Sequence, residues 1–220
     1  MILILLSTGV YSQVLISLLF GDKLNAPGVE FGLECGYNWS TLSKLETSKY
    51  LSTFNLGFYF DIRMKNQWYL NTGLLLKSKM GAGKLAENDL DFLQTDIYEE
   101  DGDYNQVLNY FLLPVLAKYK FRNHLYIEAG PQLGYAHKAY VEFNSRSQER
   151  TTRIRDNNED TINHFDLGLI AGTGYTFLKG SGITLGIKYY HGFLDVYKEK
   201  GGSRNSSIFV KLNVPVGGVK

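Results

Sequence analysis

Seven ionisable side chains sit at alternate positions within otherwise apolar runs: Glu30, Glu34, Lys118, Glu128, Asp166, Lys188 and Lys211. In an extended chain, residues two apart point to one side. Each of these charges therefore falls on a single face of its segment, and Asp61, Lys77 and Lys120 share that parity. Acids and bases are both present, and charges removed from water persist only when paired and hydrogen-bonded. The chemistry expected of this set is a network of ion pairs inside a closed sheet. Such a network fixes strand register and need not add stability, because desolvation offsets much of the Coulomb gain.

Other reactive groups are sparse. His164 and Asp166 lie two residues apart on the charged parity, a spacing open to an acid–base or metal pair. No third ligand converges on them: parity turns His137 and His191 the other way, and His124 falls in a turn. A hydrogen-bonded interior pair is the reading these residues favour. The run Asp101-Gly102-Asp103-Tyr104-Asn105 begins like a calcium loop. It lacks the Gly at position six and the Glu at position twelve of an EF-hand, which leaves only a looser cation site. The single cysteine, Cys35, lies on the apolar parity and can form no internal disulfide. There is no phosphate loop, Cys pair or HExxH. No catalytic residue, cofactor or small-molecule substrate is expected.

The elements that must position the charges are strands. Val29, Phe31, Leu33, Cys35, Tyr37 and Trp39 alternate with Glu30, Gly32, Glu34, Gly36, Asn38 and Ser40. The same period-two pattern recurs over 53–62, 68–77, 107–121, 124–135, 164–177, 183–190 and 207–214, predicting eight strands. Each is about as long as the 9–11 residues a tilted strand needs to cross a bilayer. Connections alternate in length. Thr41–Leu51, Lys79–Gln106, Lys138–Asn163 and Leu194–Ser203 are long or moderate, whereas Arg63–Asn66, Arg122-Asn123 and Leu178–Gly182 are short. Outer-membrane barrels have short periplasmic turns and long external loops. The third connection is rich in acids, from Glu87 to Asp103, and the fifth gathers Arg146, Arg150, Arg153 and Arg155.

The charged face also carries most of the strand glycines, as a narrow barrel interior requires. Placing it inside turns the apolar face towards lipid. On that face Phe60, Trp68, Tyr119, Phe121 and Phe177 fall at one rim; Trp39, Phe54, Tyr135, Phe165, Tyr189 and Phe193 fall at the other. Two aromatic girdles are what headgroup interfaces select. Composition agrees. In 220 residues, 23 basic and 22 acidic side chains nearly cancel, which argues against a nucleic-acid binder. The 16 Tyr and 13 Phe exclude a disordered chain.

The chain is therefore read as all-β, an eight-stranded antiparallel up-and-down transmembrane β-barrel over 29–215. Residues 1–12 are expected to be a signal peptide, truncated at its start because no Lys or Arg precedes the apolar run, and 13–28 a lead-in. The segments Tyr110-Phe111-Leu112-Leu113-Pro114 into Lys118-Tyr119, Gly130-Pro131-Gln132-Leu133-Gly134-Tyr135, Asp166-Leu167-Gly168 with Gly172-Thr173-Gly174-Tyr175, and Tyr189-Tyr190-His191-Gly192 together resemble the PorT-like family of outer-membrane barrels, often labelled porin family. That resemblance implies a bacterial outer-membrane location and no catalytic residues, with some members tied to protein secretion. Such barrels usually end on an aromatic residue of the last strand, whereas this sequence ends Val214-Pro215-Val216-Gly217-Gly218-Val219-Lys220. Eight strands leave room only for side chains. A non-enzymatic barrel is expected, with its lumen filled and its external loops meeting an envelope or secretion partner. A soluble lipocalin-type barrel and a small outer-membrane enzyme using His164 and Asp166 are the alternatives.

Overall fold

The computed structural model describes residues 26–145, 153–180 and 182–216. The expected signal peptide, most of the lead-in, and Arg146 and Arg150 lie outside them. Among these residues ten strands form, in chain order: β1 (Val29–Leu42), β2 (Thr47–Lys49), β3 (Leu51–Lys65), β4 (Trp68–Leu85), β5 (Gly102–Lys120), β6 (Leu125–Ser145), β7 (Arg153–Asn157), β8 (Phe165–Thr176), β9 (Thr184–Gly192) and β10 (Asn205–Pro215). A helix, α1 (Glu87–Leu93), stands between β4 and β5.

Eight of these strands close a ring. Every neighbour is antiparallel, in the order β1, β3, β4, β5, β6, β8, β9, β10 and back to β1. The closing pair runs from Gly32 against Pro215 to Leu42 against Asn205. Closure matters because a sheet edge in hydrocarbon would leave backbone groups without partners. The two short extra strands lie at the long-loop end, β2 on β4 and β7 on β6.

Side chains alternate in and out along most of the wall. In β9, Thr184, Gly186, Lys188 and Tyr190 are buried, while Leu185, Ile187, Tyr189 and His191 are exposed. The exposed set is the apolar one: Leu133, Leu169 and Ile127 are each 51% exposed, and Phe165 is 70% exposed. Water would not tolerate such a continuous apolar belt, and lipid requires it. Exposed aromatic rings mark both rims, with Trp68, Phe121 and Phe177 at the short-turn end and Trp39, Tyr135, Phe165 and Phe193 at the other. The lipocalin-type alternative, which needs apolar residues inside and charge outside, is set aside by this inverted surface.

Two expectations need correction. The long connections Lys79–Gln106 and Lys138–Asn163 are largely strand. β4, β5 and β6 run for 18, 19 and 21 residues, about twice the length needed to cross a bilayer, and stand up beyond the girdle. The calcium-like run enters β5, where Asp103 pairs with Asn144 and Asn105 with Glu142. Lys77 does not face the lumen. A bulge in β4 between Leu75 and Ser78 leaves Leu76 and Lys77 both exposed, so parity counted across it inverts.

Candidate functional site

Inside the short-turn half of the barrel the charged residues meet. Lys188 Nζ lies 2.8 Å from Glu34 Oε1, and Lys211 Nζ lies 2.6 Å from Glu128 Oε1. Asp61 takes both Lys118 and Lys120 at 2.9 Å and accepts a further hydrogen bond from Asn71 at 2.6 Å. Lys118, Lys188, Lys211 and their carboxylates are almost fully buried. Glu30, nearer the short-turn opening, is half-buried and accepts from the Tyr59 hydroxyl at 2.8 Å.

Each pairing follows from strand order. Lys211 on β10 and Glu128 on β6 reach across the lumen, and Glu34 on β1 meets Lys188 on β9 over the intervening β10. Aromatic rings fill the gaps. Lys118 lies 4.4 Å and Lys211 5.6 Å from the Tyr126 ring, and Lys188 lies 5.3 Å from that of Phe209. Tyr126 fits only because its neighbours lack side chains: a Cβ at Gly174 or Gly186 would collide with its hydroxyl.

Asp166 behaves differently. It sits in the long-loop half and accepts from Asn205 Nδ2 at 2.7 Å; the same amide also donates to the Tyr110 hydroxyl at 3.1 Å. Asp166 makes no ion pair with a lysine of the set. His164 turns away from it, its Nδ1 2.8 Å from the Ala136 carbonyl and its ring stacked on Tyr135. The His164/Asp166 pair is thus not assembled. Cys35 lies on the outer face, between Leu56 and Leu212 in register.

The long-loop half also holds apolar filling, set among buried Asn38, Asn55, Ser78, Gln106 and Asn205. Leu75, Met80, Leu108, Leu112, Ile170 and Tyr190 belong to one buried cluster that continues into Leu90 and Leu93 of α1. The helix closes the mouth. Asp89 Oδ2 accepts the Glu46 N–H at 2.6 Å, Oδ1 lies 3.4 Å from Lys200 Nζ, and Phe92 packs edge-on against Tyr197. Tyr197 donates to Gln106 Oε1 at 3.0 Å, and burial raises its phenol above the ordinary range, with Asp89 adding to the effect. On β7, burial and then Asp96 raise the Asp156 carboxyl.

Sequence parity placed Asp61 and Lys120 on the inner face but did not single them out. Only the register across β3 and β5 shows that Asp61 anchors two lysines. Asn205 and the lid carried no periodic signal. Chemically, the arrangement neutralises charge and occupies space. Among the described residues it presents no nucleophile beside a base.

Comparison with known proteins places this geometry. No curated protein matches the chain. Among the solved structures similar to the chain are Ail, the attachment invasion locus protein of Yersinia pestis, in complex with the heparin analogue sucrose octasulfate (11% identity, TM-score 0.48, covering 85% of this chain and 98% of that one); Neisserial surface protein A (10%, 0.42, 85% and 96%); and OprG from Pseudomonas aeruginosa (11%, 0.38, 87% and 95%). The outer membrane protein beta-barrel domain matches residues 22–198, most of the sequence. With its ring of eight strands, its lipid-facing apolar wall and this match, the chain belongs to the outer membrane protein beta-barrel domain family and is a protein of the bacterial outer membrane.

Proposed function

We propose that this barrel is neither an enzyme nor a diffusion pore, and that it acts through its long-loop end, which faces the exterior and engages an envelope or secretion partner. The observation that carries the reading is the filled lumen. Ion pairs around Glu34, Asp61 and Glu128 occupy one half, the Leu108–Ile170 cluster with buried amides such as Asn38, Asn55 and Asn205 fills the other, and α1 covers the mouth. What is left for recognition is the projecting rim, where Ile97, between α1 and β5, and Tyr50, between β2 and β3, are 61% and 65% exposed. The PorT-like segments of the sequence favour a secretion-linked partner among the alternatives.

Two measurements test this. Purified protein in planar bilayers should give no stable conductance at salt concentrations where a porin control conducts; discrete open channels would overturn the filled-lumen reading. Photo-crosslinkers at Ile97 and Tyr50 in whole cells should trap one defined envelope protein, and crosslinkers at Met64 and Arg122 on the short turns should not. Equal capture from both ends would refute the assignment of recognition to the long-loop end.

A further inference from the structure

Two irregularities flank β5 at one height. From the Leu75–Leu112 pair to the Ser78–Tyr110 pair, β4 uses one residue more than β5. From Tyr110–Ala136 to Asn109–Lys138, β6 also uses one more. Bulges re-aim side chains, and these two act alike. The first turns Lys77 outward beside Leu76, with its ammonium 5.8 Å from the outward ring of Phe54. The second leaves His137 stacked on outward Phe111 at 4.5 Å, next to exposed Lys138. Lys79 lies between the inward Ser78 and Met80, so it also faces out; its Nζ is 3.4 Å from the Tyr140 hydroxyl, and the Arg155 guanidinium sits 4.9 Å from that ring.

Directly below, Phe111, Tyr135 and Phe165 align across β5, β6 and β8 as part of the aromatic girdle. The cations therefore stand at the boundary between apolar belt and water, on the lipid side of the wall. Glu142, the acid on this face of β6, is already held by Arg155 at 2.9 Å and by Arg153 at 3.6 Å. Glu159 bears on His137. Among the described residues no acid pairs with Lys77, Lys79 or Lys138, and the three are open to an external anion.

We propose that Lys77, Lys79 and Lys138, grouped around Phe111, hold the phosphate groups of an anionic lipid in the outer leaflet. Basic side chains at a membrane surface attract anionic headgroups, and the effect is confined to within a Debye length of the surface. The site rests on the outward orientation of the long-loop end. An epitope tag at Gly201-Gly202 reports that orientation separately, on intact cells, so a failure of topology and a failure of lipid binding are distinguishable.

The test uses the protein in nanodiscs of phosphatidylcholine doped with bisphosphorylated lipid A, or with its dephosphorylated form, and counts retained glycolipid by native mass spectrometry. The parent should retain the phosphorylated form selectively. Lys77→Gln/Lys79→Gln/Lys138→Gln should weaken retention by about tenfold to a hundredfold, and the matching Lys→Arg triple should restore it. Lys44→Gln/Lys49→Gln/Lys198→Gln, an equal loss of charge at exposed sites elsewhere on the same end, should leave it unchanged. Heat-modified gel mobility confirms that each variant is folded. Equal retention of the two glycolipids, an unaffected first triple, or an equal loss in the control triple would overturn the proposal.

Discussion

Replacing Lys188 by Met strands Glu34 in the lumen, and the cost can be worked from the structure. The pair is 2.8 Å apart and both side chains are nearly inaccessible. At an effective dielectric of about 20, opposite charges at that distance attract by about 6 kcal/mol. Much of that attraction is offset by the desolvation of both ions, so the intact pair contributes little net. Removing one partner leaves the other's desolvation uncompensated, which costs about 3–5 kcal/mol. The two single variants should differ. Lys211 and Lys118 also act on Glu34, so Lys188→Met leaves it some opposing charge. Glu34→Gln instead removes the anion shared by three lysines and should cost more. The double variant Glu34→Gln/Lys188→Met should recover most of the loss. Urea titration of folding into lipid vesicles, read by tryptophan fluorescence and heat-modified gel mobility, measures all four stabilities. Single variants within about 1 kcal/mol of the parent, or a double variant as unstable as the sum of the singles, would refute the reasoning; the lumen would then be hydrated enough to screen its charges.

Three further outcomes are expected. Leu169→Arg puts a cation on the lipid face and should cost about 2–4 kcal/mol of folding free energy in vesicles, whereas Leu169→Met should stay within about 1.5 kcal/mol of the parent; equal stability of the two would deny that this face meets lipid. Gly186→Ala should lose about 1–3 kcal/mol through collision with the Tyr126 hydroxyl, and Tyr126→Phe in the same chain should return part of it, giving a non-additive double-mutant cycle. Asp89→Ala removes the acceptor of the Glu46 N–H and the partner of Lys200. It should open the lid by about 1–3 kcal/mol, seen as faster amide exchange over 86–93 with the wall unchanged; unchanged exchange there would show that apolar packing alone seats the helix.

The wall was legible in the sequence because lipid imposes a strict period of two, and a slip of one residue would turn a whole apolar face inward. That is why Glu34, Lys118, Glu128, Asp166, Lys188 and Lys211 could be placed inside by counting. Counting fails at bulges, which carry no compositional mark, and Lys77 was misplaced for that reason. The upper parts of β4–β6 were hidden for another. Met80-Gly81-Ala82-Gly83 and Asp101-Gly102-Asp103 have the residues of turns, and only pairing with neighbours that already stand there makes them strands. Partner choice was also out of reach. Parity says that Asp166 and Lys118 share a lumen, but only the register of β8 against β10 and β3 against β5 gives one of them an amide and the other a carboxylate.

The way the ring closes has a consequence for assembly. The first and last strands meet only after the chain between them has been laid down, so β1 and β10 must find their alignment late. Apolar patterning rejects a slip of one residue but is blind to a slip of two, which keeps every side chain on its own side. Such a slip would carry Glu34 on β1 about 7 Å along the seam, away from Lys188 on β9, which keeps its register with β10. Both ions of that buried pair would then lose their partner at once. The Glu34–Lys188 pair thus works as a proofreading step on closure: it contributes little to the finished barrel and weighs heavily against its nearest misaligned neighbour.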